Sequence, residues 1–204
     1  MNNNAELIQS LKEKEVLKSD SIIKSLQKID RIDFVPEEYK QDAYRDCALP
    51  IGYGQTISQP YTVAFMLELL EAKRGDTVLD IGSGSGWTAA LLSNIVGDTG
   101  YVTAIELVPE LVQMSKENIS KYSTKNVIVN QVKKGLGVPG KLFDKILVSA
   151  SANEFPKELL DQLLFGGTLV IPVQDYIYKV VKTERGDIIG EKHYGFSFVE
   201  LKTT

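Results

Sequence analysis

The chain has 204 residues, with 23 basic and 27 acidic side chains, one histidine and one cysteine, for a formal net charge of −4. That length suits one sizeable α/β domain, and the acidic balance argues against broad nucleic-acid binding. The lone Cys47 can form no internal disulfide. With no His/Cys cluster and no G-x-S-x-G elbow, neither a zinc centre nor a serine hydrolase is expected.

Leu7, Ile8 and Leu11, then Ile22, Ile23, Leu26 and Ile29, recur at three- and four-residue steps and predict two short amphipathic helices. They divide near Lys18-Ser19-Asp20, where Ser19 or Asp20 can cap the second. Lys12 to Glu15 reads as a solvated helix face. Residues 31–59, with Pro36, Pro50, Gly52 and Gly54, keep no period and read as irregular; a loop of that length is expected to be functional. Pro60 suits the first position of a helix, preceded by Ser58 or Gln59, with Val63, Ala64, Met66, Leu67 and Leu70 on the buried face.

From Asp76 onward strands and helices alternate. Thr77 to Ile81 predicts a strand, followed by a helix from near Gly86 that Gly97 ends. Tyr101 to Glu106 predicts the next strand, and Pro109 opens a helix carrying Leu111, Val112, Met114 and Ile119. Val127 to Val129 and Lys145 to Ser149 read as further strands, apolar enough for burial on both faces. Pro156 is expected to start a helix with Leu159, Leu160, Leu163 and Leu164, before Gly166-Gly167 turns into strand Thr168 to Val173. Tyr176 to Thr183 and Tyr194 to Leu201, joined through Arg185-Gly186-Asp187, predict a terminal antiparallel pair. No apolar run approaches the ~18 residues of a membrane span, and Met1-Asn2-Asn3-Asn4 carries no signal core, so a cytoplasmic location is expected.

The stretch Val78-Leu79-Asp80-Ile81-Gly82-Ser83-Gly84-Ser85-Gly86, with Glu106 about 20 residues further on, has the layout of a nucleotide-type cofactor site at the carboxyl edge of a parallel sheet. A dinucleotide fingerprint needs G-x-G-x-x-G; here the third glycine falls one residue early and Trp87 holds its place. Asp80 would repel a phosphate but can hold a cationic amino-acid moiety, and Glu106 can accept from both ribose hydroxyls. These details favour S-adenosylmethionine. Trp87 itself reads as a packing residue, His193 as part of a surface strand, and Tyr44, Tyr53 and Tyr61 as core anchors or groove walls.

Upstream stand Arg31-Ile32-Asp33-Phe34-Val35-Pro36, Ala43-Tyr44-Arg45-Asp46, and Leu49-Pro50-Ile51-Gly52-Tyr53-Gly54-Gln55-Thr56-Ile57-Ser58-Gln59-Pro60-Tyr61. This run closely resembles the protein-L-isoaspartate O-methyltransferase family, with R-x-x-F-V-P, A-Y-x-D and L-P-I-G-x-G-Q-T-I-S-x-P ahead of the cofactor loop. The likeness extends more loosely to Leu169-Val170-Ile171-Pro172-Val173. The resemblance implies a cytosolic, S-adenosylmethionine-dependent repair enzyme that methylates the α-carboxylate of L-isoaspartyl residues in damaged polypeptides. It also implies a class I methyltransferase fold: a Rossmann-like, doubly wound, mostly parallel sheet, with a helical N-terminal extension and antiparallel C-terminal strands. A single domain over 1–204 is expected, with 1–59 as cap and substrate loop and 60–204 as cofactor-binding core.

Ser58 is then expected to hydrogen-bond the incoming carboxylate or to order the loop over the methyl group, although it also stands where a helix cap would. Gln55, Thr56, Ile57, Asp80, Gly82, Ser83, Gly84, Gly86, Glu106, Leu107 and Gly135 are expected around the cofactor. No metal, nucleic acid or membrane is expected, and the protein is expected to act as a monomer. Three departures stand out. Val132-Lys133-Lys134-Gly135 replaces the family's G-D-G, setting a lysine, which cannot accept a hydrogen bond, where an aspartate would meet the adenine. Ser149-Ala150-Ser151-Ala152 replaces the family's A-A turn, a milder change. Pro172-Val173-Gln174 lacks the family's glycine and Phe198-Val199-Glu200-Leu201 its proline, so a more open acceptor pocket is expected. Two other readings stay open from sequence: a carboxyl methyltransferase with another peptide or small-molecule acceptor, and a cofactor-binding module without turnover.

Overall fold

The structure, a computed structural model, describes residues 1–133 and 135–202. Helices α1 (Asn4–Glu13) and α2 (Asp20–Lys28) form where the apolar periodicity places them, burying Leu7, Ile8 and Leu11, then Ile22 and Leu26. Ser19 occupies the cap position of α2 but makes no capping bond; its hydroxyl donates to Glu68 at 2.6 Å instead.

The stretch expected to be irregular has more order than its sequence shows. Arg31–Phe34 and Glu37–Asp42 are short 3-10 turns, and β1 (Leu49–Gly52) pairs antiparallel with β2 (Gln55–Ile57). Tyr53 and Gly54, between the paired Gly52 and Gln55, both have positive φ (55° and 71°). Two left-handed central residues are what a tight hairpin needs, and a tyrosine seldom supplies one. Helix α3 (Pro60–Leu70) follows with Gln59 at its cap. Its free Tyr61 amide donates to Asp46 at 2.9 Å, so Ser58 does not cap this helix.

The core alternates β3 (Thr77–Ile81), α4 (Trp87–Val96), β4 (Tyr101–Glu106), α5 (Pro109–Ser120), β5 (Val127–Gln131), β6 (Phe143–Val148) and β7 (Leu163–Val173), then ends in β8 (Tyr176–Lys182) and β9 (Ile188–Tyr194). The strand order is β5-β4-β3-β6-β7-β8-β9, parallel from β5 to β7 and antiparallel beyond. This is the Rossmann-like arrangement expected. Val78, Val102, Ala104, Leu147 and Val170 face the α-helices, while Leu79, Ile81, Ile146, Val148 and Leu169 face a second layer containing Leu136, Leu159 and Leu163. Strand order reverses between β3 and β6, and the crevice at such a switch point is where ligands bind in open α/β sheets.

Two expectations fail in detail. The helix expected from Pro156 through Leu164 is only a 3-10 turn, Lys157–Gln162, and Leu163 and Leu164 already belong to β7. Gly166-Gly167 forms an irregularity inside that strand, between the pairs Phe143↔Leu163 and Lys145↔Thr168. A side chain at Gly167 would meet two backbone oxygens at 2.8 and 2.9 Å. The last strand is Ile188–Tyr194; residues 195–202 instead run back over the sheet's end, where Ser151 exchanges backbone bonds with Val199 and Leu201, each 2.8 Å.

Candidate active site

The carboxyl ends of β3, β4 and β6 open onto one cavity. Its floor is Ile81, Gly82 and Gly84; one side is Ile105 to Val108, another Val132 with Gly135 to Gly137. Tyr53, Gln55 and Thr56 overhang it from the hairpin, and Ser149, Ala150 and Val199 to Lys202 close it.

Glu106 is the best-anchored group here. One carboxylate oxygen accepts from the Leu107 and Val108 amides (2.7 and 3.0 Å), the other from the Gly84 amide (2.9 Å). A carboxylate offers about four acceptor positions, so one remains for a ligand hydroxyl and a second requires an amide to yield. The expectation that Glu106 takes both ribose hydroxyls is narrowed accordingly.

Asp80 is different. It is wholly buried, it does not line the cavity, and neither oxygen has a hydrogen-bond partner among the described residues. Burial, and then repulsion from Glu106, push its pKa up to about 7, with nearby Ser149 acting in the opposite direction. An unpaired buried carboxyl is costly, and a cationic group is the kind of partner that would offset the cost.

The glycines divide by what surrounds them. Gly82 and Gly84 line the cavity with φ of 79° and 51°, and Gly135 lines it with φ 82° and open space at its α-carbon. Gly86, with φ 90°, lies outside the lining; a β-carbon there would come within 2.5 Å of the Ser115 hydroxyl. Its bareness lets α4 approach α5. Ser83 and Ile57 are buried and also outside the lining. Lys134, on which the expectation about the adenine partner rests, lies outside the described residues.

Ser58 lines a second cleft, with Gln59, Tyr61, Thr62, Ala48 and the segment Tyr194 to Val199. Its hydroxyl makes no hydrogen bond among the described residues. Thr56, Ser149 and Val199 border both cavities, so the two chambers meet at one wall. Sequence reasoning missed Ser149 and the returning C-terminal segment, which it had paired as a strand. The faint signal is a glycine, Gly195, which takes φ 106° where the chain leaves β9. Gln174, where the family's glycine is absent, adopts φ 54° in a two-residue turn tied to Ala152 and lines neither cavity.

Trp87 packs at the start of α4, 2 % exposed. Tyr44 is tied to Asp30, whereas Tyr53 is largely exposed at the hairpin tip. His193 sits on β9, edge-on to Phe65 at 5.2 Å.

The cofactor inferred from sequence fits what is found: glycine backbone where a nucleoside must come close, apolar Ile105, Leu107 and Leu136 for a base, an anchored acid with one acceptor position left, and an orphaned carboxyl for a cation. Comparison with known proteins agrees. The family model for protein-L-isoaspartate(D-aspartate) O-methyltransferase matches residues 2–204. A protein-L-isoaspartate O-methyltransferase from Ignicoccus hospitalis is 41% identical over 203 residues, covering 96% of this chain and 95% of that one. One from Fervidobacterium nodosum is 46% identical over 176 residues, covering 85% and 87%. A Plasmodium falciparum structure assigned to the same activity, in complex with S-adenosyl-L-homocysteine, superposes with a TM-score of 0.88 at 29% identity, covering both chains fully.

Proposed function

This chain belongs to the protein-L-isoaspartate(D-aspartate) O-methyltransferase family, and from that premise we infer that it transfers the methyl group of S-adenosylmethionine to the α-carboxylate of L-isoaspartyl residues in damaged polypeptides. The observation that carries this reading is the shared wall: a cavity suited to the donor and a cleft holding a free serine hydroxyl meet at Thr56, Ser149 and Val199.

The acceptor carboxylate is already ionised at neutral pH, so no general base has to create the nucleophile. When bound, S-adenosylmethionine supplies a methyl group on a cationic sulfur, a leaving group that departs neutral and needs no acid. What remains for the protein is alignment and exclusion of water. Glu106 fixes the ribose end, while Gly82 and Gly84 let the backbone approach. Asp80 offsets the positive charge of the amino-acid end. Ser58 donates its hydroxyl to one acceptor oxygen and leaves the other aimed through the shared wall. Residues 1–59 serve as cap and acceptor loop and 60–204 as the donor-binding core of one domain. Among the described residues no helix is long and apolar enough to cross a membrane. From the family resemblance we read the protein as cytoplasmic, and we take it to act as a monomer.

Transfer of tritiated methyl to an isoaspartyl peptide, with its aspartyl twin as control, tests the reading. Labelling of the isoaspartyl form alone is expected. Equal labelling would make it a less selective carboxyl methyltransferase, and tight cofactor binding without transfer would reduce it to a binding module.

A further inference from the structure

Arg31 heads the large side chains that are fully buried among the described residues, and none of its hydrogen-bond partners there is a carboxylate. Its guanidinium donates to backbone carbonyls: Nη1 to Ala43 at 2.5 Å and more distantly to Arg45 at 3.5 Å, Nη2 to Cys47 at 3.0 Å and to Ser58 at 3.1 Å. The nearest acid that acts on it, Asp46, spends its oxygens on the Tyr61 amide and the Lys14 ammonium. The Arg31 Cζ lies over the Trp87 ring, 5.3 Å from the centroid, at the first residue of α4 after the glycine loop.

Burying an uncompensated charge costs several kcal/mol, and an apolar side chain would fill the same space more cheaply. A fork of fixed donors does what an apolar side chain cannot. Ala43 and Cys47 precede β1, and Ser58 follows β2, so one guanidinium closes the base of the hairpin. Ser58 needs this. It sits between strand and helix, followed by Gln59 and by Pro60, which has no N–H to offer. Burial lowers the Arg31 pKa to about 10, which leaves it charged at neutral pH.

We propose that Arg31 is a positioning residue for methyl transfer: it locks the Ser58 backbone to the start of α4, and so sets the acceptor hydroxyl against the donor cavity. The proposal rests on the function inferred above but predicts a separable structural effect.

The test compares Arg31→Lys, which keeps the charge and loses the fork, with Asn126→Ala. Asn126 bonds to Ser93 and Gly97, far from either chamber, and its loss is a purely structural injury. Three readouts are taken below the thermal midpoints. They are amide exchange across residues 55–59, kcat/KM with an isoaspartyl peptide, and Kd for S-adenosylhomocysteine by calorimetry. Arg31→Lys is expected to speed exchange at 55–59 at least tenfold and to lower kcat/KM at least tenfold, with Kd held within twofold. Emission from Trp87, the chain's one tryptophan, should shift in the same variant. Asn126→Ala should lose thermal stability with none of these changes. Wild-type exchange at 55–59 in Arg31→Lys, or unchanged transfer despite a loosened segment, overturns the proposal. If the unaltered protein transfers no methyl, the inferred function fails, while exchange and Trp87 emission still decide whether Arg31 holds the segment.

Discussion

The two chambers that meet at Thr56, Ser149 and Val199 are built in opposite ways. The donor cavity rests on strand ends and glycine backbone, and Glu106 is fixed by the Leu107 and Val108 amides that follow it and by the Gly84 amide of the loop after the adjoining strand. The acceptor cleft is made largely of connecting segments, with the first turn of α3 and the end of β9 at its edges, brought together from residues 48–62, Ser149 and 194–199. Its geometry depends on distant ties, Arg31 to Ser58 and Ser151 to Val199. One half is held by the sheet's own adjoining strand ends and the other by ties between segments outside the sheet. The first should fail by losing ligand affinity, the second by losing turnover.

The sharpest way to break that distinction is at Glu106. Glu106→Ala strips the acceptor from three amides and from the ribose contact. Calorimetry with S-adenosylhomocysteine is expected to show about a hundredfold weaker binding, near 3 kcal/mol. A loss of less than about threefold would mean the cavity does not rely on its anchored acid.

Next come the two glycines of contrasting surroundings. Gly86→Ala forces a β-carbon against Ser115 in a left-handed backbone and should cost about 3 kcal/mol of stability in denaturant melts. Gly135→Ala meets nothing within 4 Å and should cost only about 1 kcal/mol for its positive φ. If both variants lose equal stability, the separation of a packing glycine from a cavity glycine is wrong.

Ser58→Ala probes the other chamber. It should slow kcat about tenfold while leaving donor affinity unchanged, as expected for one hydrogen bond made on the acceptor side. Equal losses in donor binding for Ser58→Ala and Glu106→Ala would place Ser58 on the wrong side of the wall.

The same division explains what could be read from the amino-acid sequence. Thr77 to Ile81, Tyr101 to Glu106, Pro60 and Pro109 carry period, composition and start signals that local physics obeys, so β3, β4, α3 and α5 begin where expected. Gly82, Gly84 and Glu106 are legible from the strand–glycine turn–strand–acid layout, Leu107 and Gly135 only through the family resemblance, and all five line the cavity. Leu159 to Leu164 misled because a short leucine run satisfies a helix and a buried strand equally; pairing of Leu163 with Phe143 decided it. Residues 31–59 looked formless because their order comes from a buried arginine and a hairpin whose turn uses Tyr53 in place of the usual Asn. The return of 195–202 over Ser151 is a tertiary event with no local signature. Gly86 shares the motif of the cavity glycines, and a side chain there would meet Ser115 and Ile119.

The smallest effect at neutral pH, and the most diagnostic, belongs to Asp80. Its folded pKa is raised to about 7 from 3.8, so the native protein holds a proton that the unfolded chain releases. Between about pH 4 and 7 the native state therefore binds more protons, and the contribution of this group to stability falls as pH rises through that window. A cationic donor binds the ionised form. Affinity should climb as pH rises through 7 and level above about 8, with about a twofold deficit at pH 7 and about tenfold at pH 6. Binding at pH 6 should release close to one proton, seen as a dependence of calorimetric heat on buffer ionisation enthalpy. Asp80→Asn removes the titration while keeping the shape, so it should bind donor more weakly above pH 7, with neither slope nor proton release. A pH-independent affinity in the unaltered protein would show that the buried carboxyl does not face the donor's charge, and the donor chamber would then depend on Glu106 and its backbone alone.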